Sequence, residues 1–214
     1  MLSADLQKWD AIFRAKAAEL YPATDPSHDY LHIRRVVTAA VKLAGEEGAD
    51  LYVVLPAAYF HDFVNVPKND PRRKQASRLS ADAAAEYLAS IGYPAQYLEP
   101  VKHAIAAHSF SAAIPAETIE AKVVQDADRL DSLGAIGIAR CFTTSAFMGR
   151  PYYMDGDVLA ETRPPNDQDF AIDHFYIKLF KVADMLQTKS ARAEGARRAE
   201  VMRGFLQQLK QEAA

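Results

Sequence analysis

AAYFHDFVN, residues 57–65, is the stretch on which the fold turns. It closes an apolar run, Val53 to Phe60, with a histidine and an aspartate side by side. Polar groups that end a buried run need partners, because an unpaired polar group away from water is costly. Successive helical residues diverge by about 100°, so both side chains turn inward only at a special place, such as a helix end facing a metal. A structural hydrogen bond involving His61 and Asp62 is the plainer alternative, and the doublet alone leaves both open.

Outward from the doublet, apolar residues recur at spacings of three and four rather than two, which predicts helices. One helix is predicted over 3–21 with Ser3 as its N-cap, and a second over 29–44, stopped by Gly45 and Gly48. The apolar segment 50–63 is a third, and Pro56 should kink or locally unwind it, because proline lacks an N–H and clashes with the preceding turn. NVPKNDPRRKQ (65–75) is a cationic loop, and 78–91 is helical up to Gly92. A helix near 99–108 carries Pro100 in its first turn, and SFSAAIPAE (109–117) is a loop. Helices over 117–132 and 135–147 flank Gly134. RPYYMDGDVLAETRPPNDQD (150–169) is a long loop, of a length that suits a functional lid or mobile segment. One or two helices fill 170–212, and the mixed charges of 188–212 mark a solvated face. No Gly-rich phosphate loop and no strand alternation stands out, which argues against dinucleotide-binding and P-loop folds.

The bulk numbers narrow the function further. The chain has 214 residues, 50% hydrophobic and 25% charged, enough for one domain with its own core. Its net charge of -3 supplies no general basic field, so no nucleic-acid partner is expected; a small phosphorylated ligand needs only a few cations placed locally. The one cysteine, Cys141, excludes an internal disulfide and a Cys-rich zinc site, and its neighbours Ile138, Ala139 and Phe142 predict a buried thiol. The N-terminal MLSADLQKWDAIF lacks the basic and apolar regions of a signal peptide. No apolar run approaches the roughly 20 residues of a membrane span. The expected location is the cytoplasm, with no membrane partner.

Four places collect histidine and aspartate: SHDYLHIRRV (27–36), AAYFHDFVN (57–65), VKHAIAAHSFS (101–111) and VQDADRLDSLG (124–134). Imidazole nitrogen and carboxylate oxygen together suit Mn, Fe, Co, Ni or Zn and, less ideally, Mg. A divalent ion with open positions polarises a phosphoryl oxygen and lowers the pKa of bound water. Helices give such a ligand set the rigidity it needs.

In this order the segments resemble the HD-domain phosphohydrolases, whose signature is H…HD…D on a helical bundle. His32 in HIRRV resembles the first motif, His61-Asp62 the doublet, and DADRLD (126–131) the last motif. The intervals are 29 residues from His32 to His61 and 66 from Asp62 to Asp128. The flanking stretches VPKNDP…SRLSA, HSFS and DADRLDSLGAIGIAR look closest to small stand-alone bacterial HD hydrolases. The resemblance implies an all-α HD-domain bundle. It covers about 25–185 of a single domain over 1–214, which leaves an N-terminal helix and a C-terminal helical extension.

The same resemblance implies metal ligation by His32, His61, Asp62 and Asp128, with one divalent ion per chain and Asp62 also in the catalytic group. His28 competes with His32, four residues apart on one helix face, and the Arg35-Val36 pair favours His32. Asp126 and Asp128 are about 200° apart on a helix, and the ADRL match selects Asp128. Asp131 shares the face of Asp128 and is a candidate partner of a ligand histidine; a surface ion pair is the alternative for Asp126 and Asp131. His103 and His108 are five apart and point in different directions; His103 or His108 is expected to contact substrate or leaving group, and a structural role is the alternative for each. Arg35, Lys68 and Arg72 are the expected phosphate contacts, with Arg73 mattering less. Where some relatives carry a glutamate just after the doublet, this chain has Asn65. The implied activity is metal-dependent cleavage of a phosphoester or phosphoanhydride in a small molecule, a nucleotide by preference. A di-iron oxygenase and a non-catalytic metal-binding regulatory module are the rivals, and monomer and homodimer stay open.

Overall fold

The computed structural model describes residues 2–21, 29–66, 70–109 and 112–213. Among them are nine α-helices and no strand; Met154 and Asp157 form an isolated bridge. The fold is all-α, as the apolar spacing predicts. Ser3 starts α1 (Ala4–Leu20) by accepting from the Leu6 N–H at 3.3 Å. Asp29 starts α2 (Tyr30–Glu47) by accepting from the His32 N–H at 2.8 Å. Helix α2 runs past the predicted stop, through Gly45, and ends at Gly48 with φ 72°. A single helical glycine costs only about 1 kcal/mol, which burial of Leu43 and Ala44 offsets.

Helix α3 (Leu51–Phe60) continues through Pro56. Proline cannot donate to the carbonyl of Tyr52, four residues back. The Tyr93 hydroxyl donates to that carbonyl instead, at 2.6 Å. The remaining helices are α4 (Ala76–Ser90), α5 (Leu98–His108), α6 (Ile119–Leu130), α7 (Gly134–Phe147), α8 (Phe180–Asp184) and α9 (Lys189–Glu212). The expected loop after the doublet contains a 3-10 turn, Pro71–Gln75, capped by Asp70. A π-turn, Phe175–Leu179, leads into α8.

The chain divides into two compact units, 1–128 and 129–214, with the boundary inside the last turn of α6. In the first unit α3 is the central element, with α1, α2, α4 and α5 packed against it. Every residue from Val53 to Phe60 is buried, as its unbroken apolar sequence requires. Phe13 of α1 meets Phe60 edge-on with centroids 5.3 Å apart, and Trp9 meets Tyr93 at 4.8 Å. Each such ring contributes on the order of 1.5–3 kcal/mol by leaving water.

In the second unit α7 packs on α9, and Phe142, Phe175 and Phe205 form its aromatic centre. Segment 150–169 has almost no regular structure but is tied down within its own unit. Fully buried Asp173 accepts from Arg163 Nη2 at 3.0 Å and from the Asn166 N–H at 2.6 Å. Asp157 accepts from the Glu161 and Thr162 N–H groups at 2.8 and 3.1 Å. Cys141 is buried as expected, and burial pushes its thiol up to about 11. No helix among the described residues is long and apolar enough to cross a membrane.

Candidate metal centre

Five side chains converge in the first unit, and each comes from the end of a helix. His32 lies in the first turn of α2, His61 and Asp62 end α3, His108 ends α5, and Asp128 lies in the last turn of α6. Three of these ends are C-termini, whose unsatisfied carbonyls carry partial negative charge and favour a cation. His32, His61 and Asp128 offer ligand atoms that all lie within 4.8 Å of one another, and so do His61, Asp62 and His108.

The separations are informative. His32 Nε2 is 3.6 Å from Asp128 Oδ1, and His61 Nε2 is 3.8 Å from the same oxygen. His61 Nε2 is 3.7 Å from Asp62 Oδ2, and His108 Nε2 is 3.6 Å from Asp62 Oδ1. These gaps are too long for hydrogen bonds. They suit donors that share one ion, because ligands at about 2.0–2.2 Å from a metal stand at most about 4.4 Å apart. His61 Nε2 is buried and has no hydrogen-bond partner. An orphaned ring nitrogen facing two carboxylates, in a mixed imidazole and carboxylate set, fits a first-row divalent metal.

The second ring nitrogens explain the orientation. His61 Nδ1 is 3.0 Å from the Ala58 carbonyl, and His108 Nδ1 is 2.7 Å from the Ile105 carbonyl. In both cases the partner is a last-turn carbonyl that the helix leaves unsatisfied. Nδ1–H donation fixes the tautomer and directs the Nε2 lone pair into the cluster. Burial disfavours the His61 imidazolium, the neighbouring imidazoles add to this, and Asp62 and Asp128 act the other way; the net shift is downward. Burial alone would raise the Asp128 carboxyl, but His61, His32 and His108 outweigh it and hold it below its usual range.

His103, Asp126 and Asp131 belong to neither group of potential ligands. His103 is half-buried, and its Nε2 accepts from the Glu117 N–H at 3.3 Å. Arg35 is half-buried one turn beyond His32. Arg72 is exposed and pairs with Asp70 at 2.8 Å; its hydrogen bonds hold the Asp70 carboxyl at about 2. Arg73 Nη1 donates to the Val66 carbonyl at 2.6 Å. Asp126 is fully buried rather than on the surface, and buried Asp131 accepts from Arg140 at 2.7 Å. Asn65 is exposed. Lys68 and His28 lie outside the described residues. The association of His108 with the doublet is the feature the spacing argument missed. A signal existed: AIAAH, like AAYFH, is an apolar helix run that ends on a histidine.

Comparison with known proteins agrees with this architecture. The model of the HD domain family matches residues 29–133. The chain is 34% identical over 195 residues to the protein YpgQ of Bacillus subtilis, covering 88% of this chain and 87% of that one. The crystal structure of Bacillus subtilis YpgQ in complex with ADP superposes with a TM-score of 0.73, at 34% identity, over 95% of this chain and 97% of that one. An HD-superfamily hydrolase from Bacillus thuringiensis gives a TM-score of 0.75 at 31% identity, over 96% and 97% of the two chains. This chain therefore belongs to the HD family and has the fold of its hydrolases.

Proposed function

We propose that the protein is a metal-dependent phosphohydrolase that cleaves a phosphoester or phosphoanhydride bond of a nucleotide. The observation that carries this reading is the five-residue cluster around the unpartnered, buried His61 Nε2. The ADP complex of the related YpgQ supports a nucleotide as ligand. His32, His61, Asp62 and Asp128 would hold the ion. When bound, a divalent ion supplies Lewis acidity, polarising a phosphoryl oxygen and making water a stronger acid. His108 Nδ1 is committed to the Ile105 carbonyl, so its Nε2, beside Asp62, is the atom that exchanges a proton with the leaving oxygen. This role compensates for the absence of an acid at Asn65 and falls to His108 rather than to His103, the other candidate.

Phosphate binding falls to Arg35, one turn from His32, with Lys68 and Arg72 contributing from the loop. Arg72 is already engaged by Asp70, whereas Arg73 braces the segment that follows the doublet. Arg73→Ala is therefore expected to lower kcat/KM by roughly tenfold, the size of a lost charge-assisted hydrogen bond, and Arg72→Ala by less than about threefold. Steady-state kinetics at fixed ionic strength decide the order, and a larger loss for Arg72→Ala contradicts it. The overall reading is tested by assaying phosphate and pyrophosphate release from nucleoside mono-, di- and triphosphates with several divalent metals. Turnover with at least one pair is expected, and silence across the panel removes the reading.

A further inference from the structure

The carbonyls of Ala58, Tyr59 and Phe60, at the end of α3, each have an identified partner. Ala58 is taken by the His61 ring at 3.0 Å, and Phe60 by the Phe63 N–H at 3.1 Å. The Tyr59 carbonyl is taken from outside the helix. The Tyr21 hydroxyl, from the C-cap of α1, donates to it at 3.1 Å. One hydroxyl thus holds the helix end two residues before His61. Tyr21 is 6% exposed, so this contact has little competition from water. Tyr21 also lies outside residues 29–133, the part of the chain that matches the HD domain family.

We propose that Tyr21 is a positioning residue for the metal centre: its hydroxyl holds the Tyr59 carbonyl at the end of α3 and fixes where His61 and Asp62 present their ligand atoms. The inference rests on reading the cluster as a divalent-metal site. A ligand set must be held to within about 0.5 Å to bind well, and a helix end, where the ladder of backbone bonds stops, needs outside support to hold it. Loss of a partner one layer out from a metal typically weakens binding about ten- to a hundredfold.

Calorimetric titration of the metal-stripped full chain with Mn2+ tests this. Tyr21→Phe keeps the ring in place, and α1 stays anchored by buried Phe13 and by the Tyr59 hydroxyl on Asp10 at 2.7 Å, so the variant should fold. Its Kd for Mn2+ is expected to rise roughly ten- to a hundredfold. Asp10→Ala breaks that second tie between α1 and α3 and serves as the structural control, with a Kd within about threefold of the parent. Introducing 4-aminophenylalanine at position 21 restores a donor to the Tyr59 carbonyl and should recover part of the affinity. A parental Kd for Tyr21→Phe, an equal loss in Asp10→Ala, or no recovery with the amino group overturns the inference. If Tyr21→Phe does not fold, 4-fluorophenylalanine at position 21, which fills the space of the hydroxyl but cannot donate, takes its place: weaker Mn2+ binding than the amino variant supports the bond to the Tyr59 carbonyl, and equal binding overturns it. A parent chain that binds no divalent metal overturns the metal reading as well, which separates that failure from failure of the Tyr21 contact alone.

Discussion

His61→Ala, purified beside the parent chain, is expected to carry no tightly held divalent metal and to turn over nucleotide at less than about one-thousandth of the parental rate. His61 is common to both groups of potential ligands, and its Nε2 is a buried atom without a hydrogen-bond partner. Its removal takes the shared donor from both groups at once. His32→Ala, Asp62→Ala and Asp128→Ala should also lose the ion, since each removes a donor from the proposed set. His108→Ala should behave differently under the proton-transfer role: metal retained, kcat reduced by about a hundredfold or more, and KM little changed. Metal content after identical purification, read with steady-state kinetics, separates these outcomes. Full metal in His61→Ala contradicts the ligand assignment, and loss of metal in His108→Ala makes that residue a ligand instead.

Gly137→Ala should be the most disruptive one-methyl change in the second unit. A Cβ at Gly137 would stand 2.2 Å from the Ser132 carbonyl oxygen and 2.5 Å from its carbon. That turn cannot easily yield. The Ser132 N–H and hydroxyl both donate to the Arg129 carbonyl, at 3.0 and 2.7 Å, and the Gly137 N–H donates to Leu133 at 3.3 Å. Overpacking against backbone costs about 3 kcal/mol or more, which corresponds to a fall in Tm of roughly 6–12 °C for a chain of this size. Gly204→Ala is the matched control. It sits exposed in α9 with nothing within 4 Å of an added Cβ, so it should raise stability by up to about 1 kcal/mol. Thermal melts of the two variants should move in opposite directions. A Gly137→Ala melt within about 2 °C of the parent contradicts the close approach.

The helices were legible because their signals are local. Ser3 and Asp29 cap where a short polar side chain precedes an apolar stripe, and the stripes bury the residues their spacing selects. What was not legible depends on partners far away in the chain. Pro56 was expected to kink α3, but the group that satisfies the freed Tyr52 carbonyl is Tyr93, 41 residues on. Segment 150–169 is expected to be a lid or mobile, yet the pairing of Arg163 with buried Asp173 that ties it gives no periodic signal. At the candidate site, the ordered histidines and aspartates could be picked out through their resemblance to the H…HD…D signature. The helix ends that carry them meet through tertiary packing, so the place of His108 beside Asp62, and the absence of His103 from both ligand groups, needed coordinates. The roles of Arg72 and Arg73 turn on whether a guanidinium finds a carboxylate or a backbone carbonyl, and adjacent identical residues give no hint of that.

Metal-dependent hydrolysis of a nucleotide is the activity proposed for this chain's histidine and aspartate cluster. The most direct measurement follows phosphate and pyrophosphate release from nucleotides by the chelator-stripped chain, before and after restoring a single divalent metal, with His61→Ala treated alongside. Turnover that is absent after stripping, returns with the metal in the parent and stays absent in His61→Ala is the expected result. Turnover that survives stripping, or that His61→Ala recovers with the metal, would contradict it.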